Sequence, residues 1–207
     1  MEENNKFTTI SACSIGDFRD RGSKFLSFAY PVKDVQEIKE KINLLKKEHP
    51  KAVHHCYAYR LGGDGNQFRA NDDGEPAGSA GKPILRQIDS LGLSNVLVVV
   101  VRYFGGSLLG IPGLINAYKN ATLMALESAP KLVKWIEEIY EISFDYPVMG
   151  EVLYLLKQCE SSIYEQELQL FCIVKAGIPI PYINLYVKKL EELNGVNIKN
   201  IKLDLTP

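Results

Sequence analysis

The longest apolar run in the chain, Val-Leu-Val-Val-Val-Val at positions 96–101, sits between Asn95 and Arg102. A continuous run this short predicts a strand buried on both faces. Elsewhere the pattern recurs at helical spacing. Val35, Ile38, Ile42 and Leu45 are separated by Lys and Glu, which predicts a helix over 34–48. Asp34 is suited to the N-cap and Pro50 to the stop. Strands are predicted at 24–31 and at 52–60, the second ended by Gly62-Gly63. From about Ala80 the chain reads as a helix over 83–91, with Pro83 in the first turn and Gly92 at its end. A longer helix over 112–128 carries Leu114, Ile115, Tyr118, Leu123 and Leu126. Strand, glycine turn and helix, twice over, predict an α/β core.

The order of elements changes after Ala129-Pro130-Lys131. Positions 133–146 are strand-like, 147–158 helical, and 162–176 supply one or two strands. A helix over 181–193 ends at Asn194-Gly195, and 198–205 alternate as a last strand. A β-α-β-β-α-β order predicts a ferredoxin-like split βαβ domain of roughly 70 residues. The expected fold class is therefore α+β in two domains, 1–130 and 131–207.

Composition narrows the partners. The chain has 207 residues, 46% apolar and 24% charged, and a formal net charge of −1. No global basic field marks it for nucleic acid or an anionic membrane, so such contact must come from a local patch. The longest apolar run is far below the ~20 residues that cross a bilayer. The start, Met1 to Lys6, has no apolar core of a signal peptide. The four cysteines, Cys13, Cys56, Cys159 and Cys172, form no C-x-x-C pair. A cytoplasmic protein with reduced thiols is expected. Cys56, Cys159 and Cys172, set among apolar residues, are expected to fill the core.

Candidate chemistry gathers in two turns. The first, from Asn71 to Pro83, holds Asp72, Asp73 and Glu75, three glycines, two prolines and Lys82. The second runs Gly105-Gly106-Ser107-Leu108-Leu109-Gly110-Ile111-Pro112-Gly113. Gly81-Lys82 does not complete a phosphate-binding P-loop: Pro76 stands where the first glycine belongs and Pro83 where the Ser or Thr belongs. The second turn has no G-x-G-x-x-G, so no Rossmann fingerprint follows. Each turn nonetheless leads into a helix N-terminus, where unpaired N–H groups accept anions, and Lys82 and Arg102 add full charges. The alternative is that the glycines only make tight turns, and that Asp72, Asp73 and Glu75 cap helices or stay solvated. These three carboxylates do not have EF-hand spacing. His54 and His55 on a strand point to opposite faces and cannot share one zinc ion. His55 with Asp72 or Asp73 is a catalytic alternative, but no nucleophile accompanies it, and Ser79 lacks a G-x-S-x-G elbow. Tyr57, Tyr59, Phe68, Tyr103 and Phe104 flank the turns, either as base-stacking groups or as half-buried packing. The sequence assigns no cofactor and no metal.

Asp72-Asp73-Gly74-Glu75-Pro76-Ala77-Gly78-Ser79-Ala80-Gly81-Lys82-Pro83-Ile84-Leu85 and Val99-Val100-Val101-Arg102-Tyr103-Phe104-Gly105-Gly106 closely resemble the signature of the IMPACT/YigZ family. The likeness covers most of residues 20–128, with both motifs in the family's order. The remainder resembles the small domain of YigZ-type members. The resemblance implies an N-terminal domain similar to the second domain of a small-subunit ribosomal protein and to domain IV of elongation factor G. It implies a C-terminal domain similar to domain V of that factor. In the eukaryotic branch, members regulate translation by binding the activator of an amino-acid-starvation kinase. For the bacterial branch, nucleic-acid or ribosome binding is inferred from fold.

Together the turns and the resemblance nominate a binding site. It takes Asp72, Asp73, Gly74, Glu75, Pro76, Gly78, Gly81 and Lys82 from the first turn. It takes Arg102, Tyr103, Gly105, Gly106 and Gly110 from the second. The chain departs from the family pattern at Ser107, Leu108, Ile111, Pro112 and Asn116, where Thr, Lys, Thr, Gly and Arg are usual. An anion site there loses charge. The expectation is a non-enzymatic, translation-associated regulator that contacts RNA, the ribosome or a translation factor. The alternatives are a small hydrolase acting on a phosphorylated or peptide-like substrate, and a pure protein-interaction module.

Overall fold

The computed structural model describes residues 5–201. The first four residues and positions 202–207 lie outside it, and with them most of the terminal stretch read for a signal and the end of the strand expected at 198–205. The chain divides into two compact units, one formed by Phe7–Lys134 and the other by the residues up to Lys6 together with those from Trp135 onward.

In chain order the first unit carries β1 (Lys6–Ile10), β2 (Ser14–Asp20), β3 (Ser23–Pro31), α1 (Val35–Glu48), β4 (His54–Leu61) and β5 (Gln67–Asn71). Next come α2 (Gly81–Ser90), β6 (Val96–Tyr103), α3 (Gly110–Ser128) and β7 (Lys131–Trp135). Five strands form one sheet in the order β2-β3-β6-β4-β5, antiparallel at every pairing. Strands β1 and β7 make a separate two-stranded ribbon. The apolar run is the middle of β6, and its residues alternate between two cores. Val96, Val98 and Val100 pack with Ile84 and Ile88 of α2 and with Ala117, Tyr118, Ala121 and Ala125 of α3. Leu97, Val99 and Val101 pack on the other face with Val35, Ile38, Ile42 and Leu45 of α1. All six run positions are fully buried, each contributing roughly 1.5–3 kcal/mol of transfer free energy.

Helix α1 begins as its sequence predicts, with Asp34 Oδ1 accepting the Glu37 N–H at 2.7 Å. The expected helix at 112–128 starts two residues earlier, at Gly110. Three strands fall where the hydrophobic pattern gives no strand: β1, β2 and β5. Among them, β2 is an edge strand whose third residue, Gly16, lets α3 approach closely. A Cβ at Gly16 would stand 2.8 Å from the Ala121 oxygen and the Ala125 nitrogen.

The second unit carries β8 (Glu137–Asp145), α4 (Met149–Gln158), β9 (Ser162–Leu168), β10 (Phe171–Pro179), α5 (Ile183–Glu191) and β11 (Val196–Asn200). The stretch expected as one strand over 133–146 is thus two, β7 and β8, parted at Ile136. The order β-α-β-β-α-β holds, and the sheet runs β11-β8-β10-β9 with antiparallel neighbours. One face packs Ile142, Phe144, Val174 and Ala176 against Val152 and Leu156 of α4 and Leu190 of α5. No helix among the described residues is long and apolar enough to cross a membrane.

Cys56, Cys159 and Cys172 are buried free thiols, while Cys13 is exposed. Burial pushes the Cys56 and Cys159 thiols above their ordinary value, which suppresses the reactive thiolate. Iodoacetamide should therefore label the native protein at Cys13 alone, as read by mass spectrometry, and reach the other three after denaturation. A native protein alkylated at Cys56 would contradict this packing.

Candidate functional site

The first glycine turn is built around its own carboxylates. Asp72 Oδ1 accepts the N–H groups of Ala80 and Gly81 at 3.0 and 2.8 Å, and Oδ2 accepts that of Gly78 at 2.9 Å. The N-terminus of α2, an anion site by its sequence, is thus filled from within the chain. Burial alone would raise the Asp72 pKa. The three N–H donors and the Lys82 charge outweigh it and hold the carboxyl below its ordinary value. Asp73 takes a left-handed backbone, φ 41°, and its carboxylate accepts the His55 backbone N–H at 2.7 Å. Gly74, at φ 89°, and Gly78, at φ 75°, turn the chain. Gly81 lies so close to Asn71 that a Cβ would meet its backbone. Lys82 is exposed at the start of α2.

Glu75 points the other way, into the protein. Its side chain is 3% exposed and its Oε1 accepts from Arg102 Nη1 at 2.6 Å and from the Tyr118 hydroxyl at 2.7 Å. Arg102, at the end of β6, is itself buried, with its guanidinium over the Phe25 and Phe104 rings. Tyr118 on α3 is fully buried and meets Phe25 edge-on. Burial first, then neighbouring Cys56 and Glu75, push the Tyr118 hydroxyl well above its usual value, so it serves as a neutral donor. The Cys56 thiol reaches both the Asp72 carbonyl at 3.0 Å and the Tyr118 hydroxyl at 3.3 Å.

The two turns line one cleft of about 370 Å³. Its floor is Glu75, Arg102 and His54; Pro76 borders it from the first turn. Its walls are Val53, Phe104, Leu108, Leu109, Ile111 and Leu114, with Gly110 at the start of α3. Leu108 is 85% exposed and Ile111 54%. Of the thirteen nominated residues, Glu75, Pro76, Arg102 and Gly110 line the cleft. Asp72, Asp73, Gly74, Gly78, Gly81 and Lys82 form the turn beside it. Gly105 backs onto the β2–β3 turn, its N–H donating to Ser23 Oγ at 3.1 Å, and Gly106 supplies a left-handed bend, φ 88°. Tyr103 points to the opposite face of the sheet, where its hydroxyl meets His49 Nδ1 at 2.8 Å.

His54 and His55 do face opposite ways. His54 lines the cleft, whereas His55 is buried on the α1 side, 4.0 Å from Asp73. Burial, the largest influence, lowers the His55 pKa. Asp72, Asp73 and Glu75 bond to three different sets of partners, and no cluster suited to a metal ion occurs among the described residues. Sequence reasoning missed His54, Tyr118 and the aliphatic walls. The register supplies the signal for His54, since it pairs directly with Arg102 across β4 and β6.

A profile of the Impact N-terminal domain matches residues 21–126. IMPACT family member YigZ of Escherichia coli (strain K12) is 32% identical over 184 residues, 88% of this chain and 90% of that protein. The chain belongs to the IMPACT family. A crystal structure described only as that of a hypothetical protein superposes on this one with a TM-score of 0.73 at 29% identity. That superposition covers 96% of this chain and 98% of the other. The structure of a two-domain translational regulator, Yih1, shares 28% identity over 57% of this chain and 48% of its own, with a TM-score of 0.39. The IMPACT profile spans both glycine turns and every residue that lines the cleft.

Proposed function

We propose that this IMPACT protein is a non-enzymatic, translation-associated binding protein that docks a protein partner in the cleft between its two glycine turns. The cleft walls carry the reading: exposed aliphatic and aromatic side chains surround a buried ion pair, and no exposed lysine or arginine lines them. Nucleic acid binding leans on exposed cations that neutralise phosphates. Apolar walls around a few fixed polar groups suit a peptide segment or a side chain. Leu108, which replaces the family's usual lysine, and Ile111, which replaces its threonine, here build a wall of the cleft. The link to translation comes from family membership. In the same reading, residues 1–130 form the IMPACT-type domain and 131–207 the YigZ-type domain, similar to domains IV and V of elongation factor G. A hydrolase lacks comparable support, because Asp72 and Asp73 are committed to backbone donors and Ser79 Oγ donates to the Pro76 carbonyl.

The test is affinity capture with the full chain and its Leu108→Asp variant. The expected result is a partner that survives nuclease treatment and 0.5 M salt on the wild type. It should be held at least about tenfold less by the variant, a loss of about 1.4 kcal/mol. Release of the partner by nuclease would overturn the protein-docking reading in favour of RNA or ribosome contact.

A further inference from the structure

The second unit covers one face of its sheet with helices and leaves the other open. Ile142 and Phe144 of β8 and Cys172, Val174 and Ala176 of β10 turn into the core with α4 and α5. Strand alternation sends the residues between them to the open face. Register fixes who stands beside whom there. Phe171 lies opposite Asp145, Ile173 between Ser143 and Glu167, and Lys175 between Glu141 and Glu165. Phe171 is 79% exposed. Asp145 is its direct cross-strand neighbour, at about 5 Å, and Glu167 its diagonal one, at about 7–8 Å. The Lys175 ammonium pairs with Glu165 at 2.6 Å, and Glu141 and Glu167 lie in its field as well. One cation thus serves three glutamates. Lys199 of β11 falls opposite Glu141 in turn. Asp145 makes no ion pair among the described residues. At the same end of the sheet the exposed Leu170 and Tyr146 extend the apolar surface, joined by a backbone bond of 3.4 Å.

We propose that this sheet face docks a basic protein segment, with an arginine laid over the Phe171 ring and paired with Asp145 and Glu167. A guanidinium is planar and weakly hydrated, stacks on aromatic rings and offers several donors to carboxylates. An exposed ring beside carboxylates that lack cations of their own complements that group in shape and in charge. A four-stranded sheet with an outward aromatic is also how one common RNA-binding module stacks bases. Charge decides between the two. Phosphates need exposed cations, and both lysines of this face stand opposite glutamates. A second copy joined face to face would bring the same carboxylates together, and like charges meeting across an interface disfavour it. The surface is independent of the cleft in the first unit.

The probe is the capped peptide N-acetyl-Arg-Leu-Arg-Lys-Arg-amide, titrated into the 15N-labelled full chain at about 0.1 M salt, where distant charges are screened. Its counterpart with glutamine at every basic position and octauridylate are titrated beside it. The basic peptide should shift the amides of Asp145, Glu167, Phe171 and Ile173, and the other two ligands should leave them in place. The double variant Asp145→Asn, Glu167→Gln should weaken binding about fivefold or more, from two exposed ion pairs. Phe171→Ala leaves the net charge unchanged and should weaken it by about threefold, from the lost ring. Undiminished affinity in Phe171→Ala would reduce the interaction to diffuse charge attraction and overturn the proposal. So would amides on this face that ignore the basic peptide, or that answer octauridylate with the peptide silent. Leu108→Asp should leave this binding unchanged, so the two docking surfaces stand or fall separately.

Discussion

Glu75→Ala will lower the stability of the Phe7–Lys134 unit by about 3–5 kcal/mol, the usual cost of breaking a buried ion pair by removing one partner. The replacement leaves the Arg102 guanidinium, 7% exposed, with no carboxylate. It also takes the acceptor from the fully buried Tyr118 hydroxyl, and an orphaned buried donor costs about 1–3 kcal/mol by itself. The double replacement Glu75→Leu, Arg102→Met should recover much of the loss, because a buried pair exchanged for apolar side chains is often close to neutral. Urea unfolding followed by circular dichroism reads both effects. A loss below about 1 kcal/mol in the single variant would show that water, not Glu75, satisfies Arg102.

Asp72→Ala should cost about 2–4 kcal/mol, because one carboxylate serves the N–H groups of Gly78, Ala80 and Gly81 together. Its cost should also depend on pH. The folded-state pKa of Asp72 lies below the ordinary value, and an unfolded aspartate titrates near about 3.9. Between those two values the unfolded chain holds more protons. The contribution is therefore complete above about pH 5 and is lost as pH falls through about 3.9 and then through the lower folded value. Unfolding wild type and variant at pH 7 and at pH 3 checks the sign: the gap should narrow in acid. A gap that stays constant would remove Asp72 from the cap.

The elements legible in the sequence are those whose own side chains build a core. Val35, Ile38, Ile42 and Leu45 declare α1, and the 96–101 run declares the centre of β6. Strands β2 and β5 carry too few apolar side chains to declare themselves: β2 meets α3 through Gly16 and Phe18, and β5 adds only Ala70 to the same core. Phe68 in β5 is 56% exposed, so no period-2 signal marks it. The two glycine turns were legible as the place to look. Which residues face the cleft was not. Arg102 and Tyr103 are adjacent and equally suggestive as residue types, yet strand alternation sends one into the cleft floor and the other to His49. Asp72 turns inward because its partners lie six to nine residues ahead, a reach no helical or strand period encodes. Leu108 reads as a lost charge and Ile111 as a lost hydroxyl, and their role as walls follows only from the cleft they enclose.

Strand β6 has a consequence for how the cleft can respond. Because its residues feed both cores, neither helical layer can peel away without exposing the same strand. Its amides should exchange with solvent only when the whole unit unfolds. Arg102 continues that strand and carries one side of the cleft floor. In the docking reading proposed above, a partner would meet a floor set before it arrives, and recognition would spend little on ordering that part of the protein.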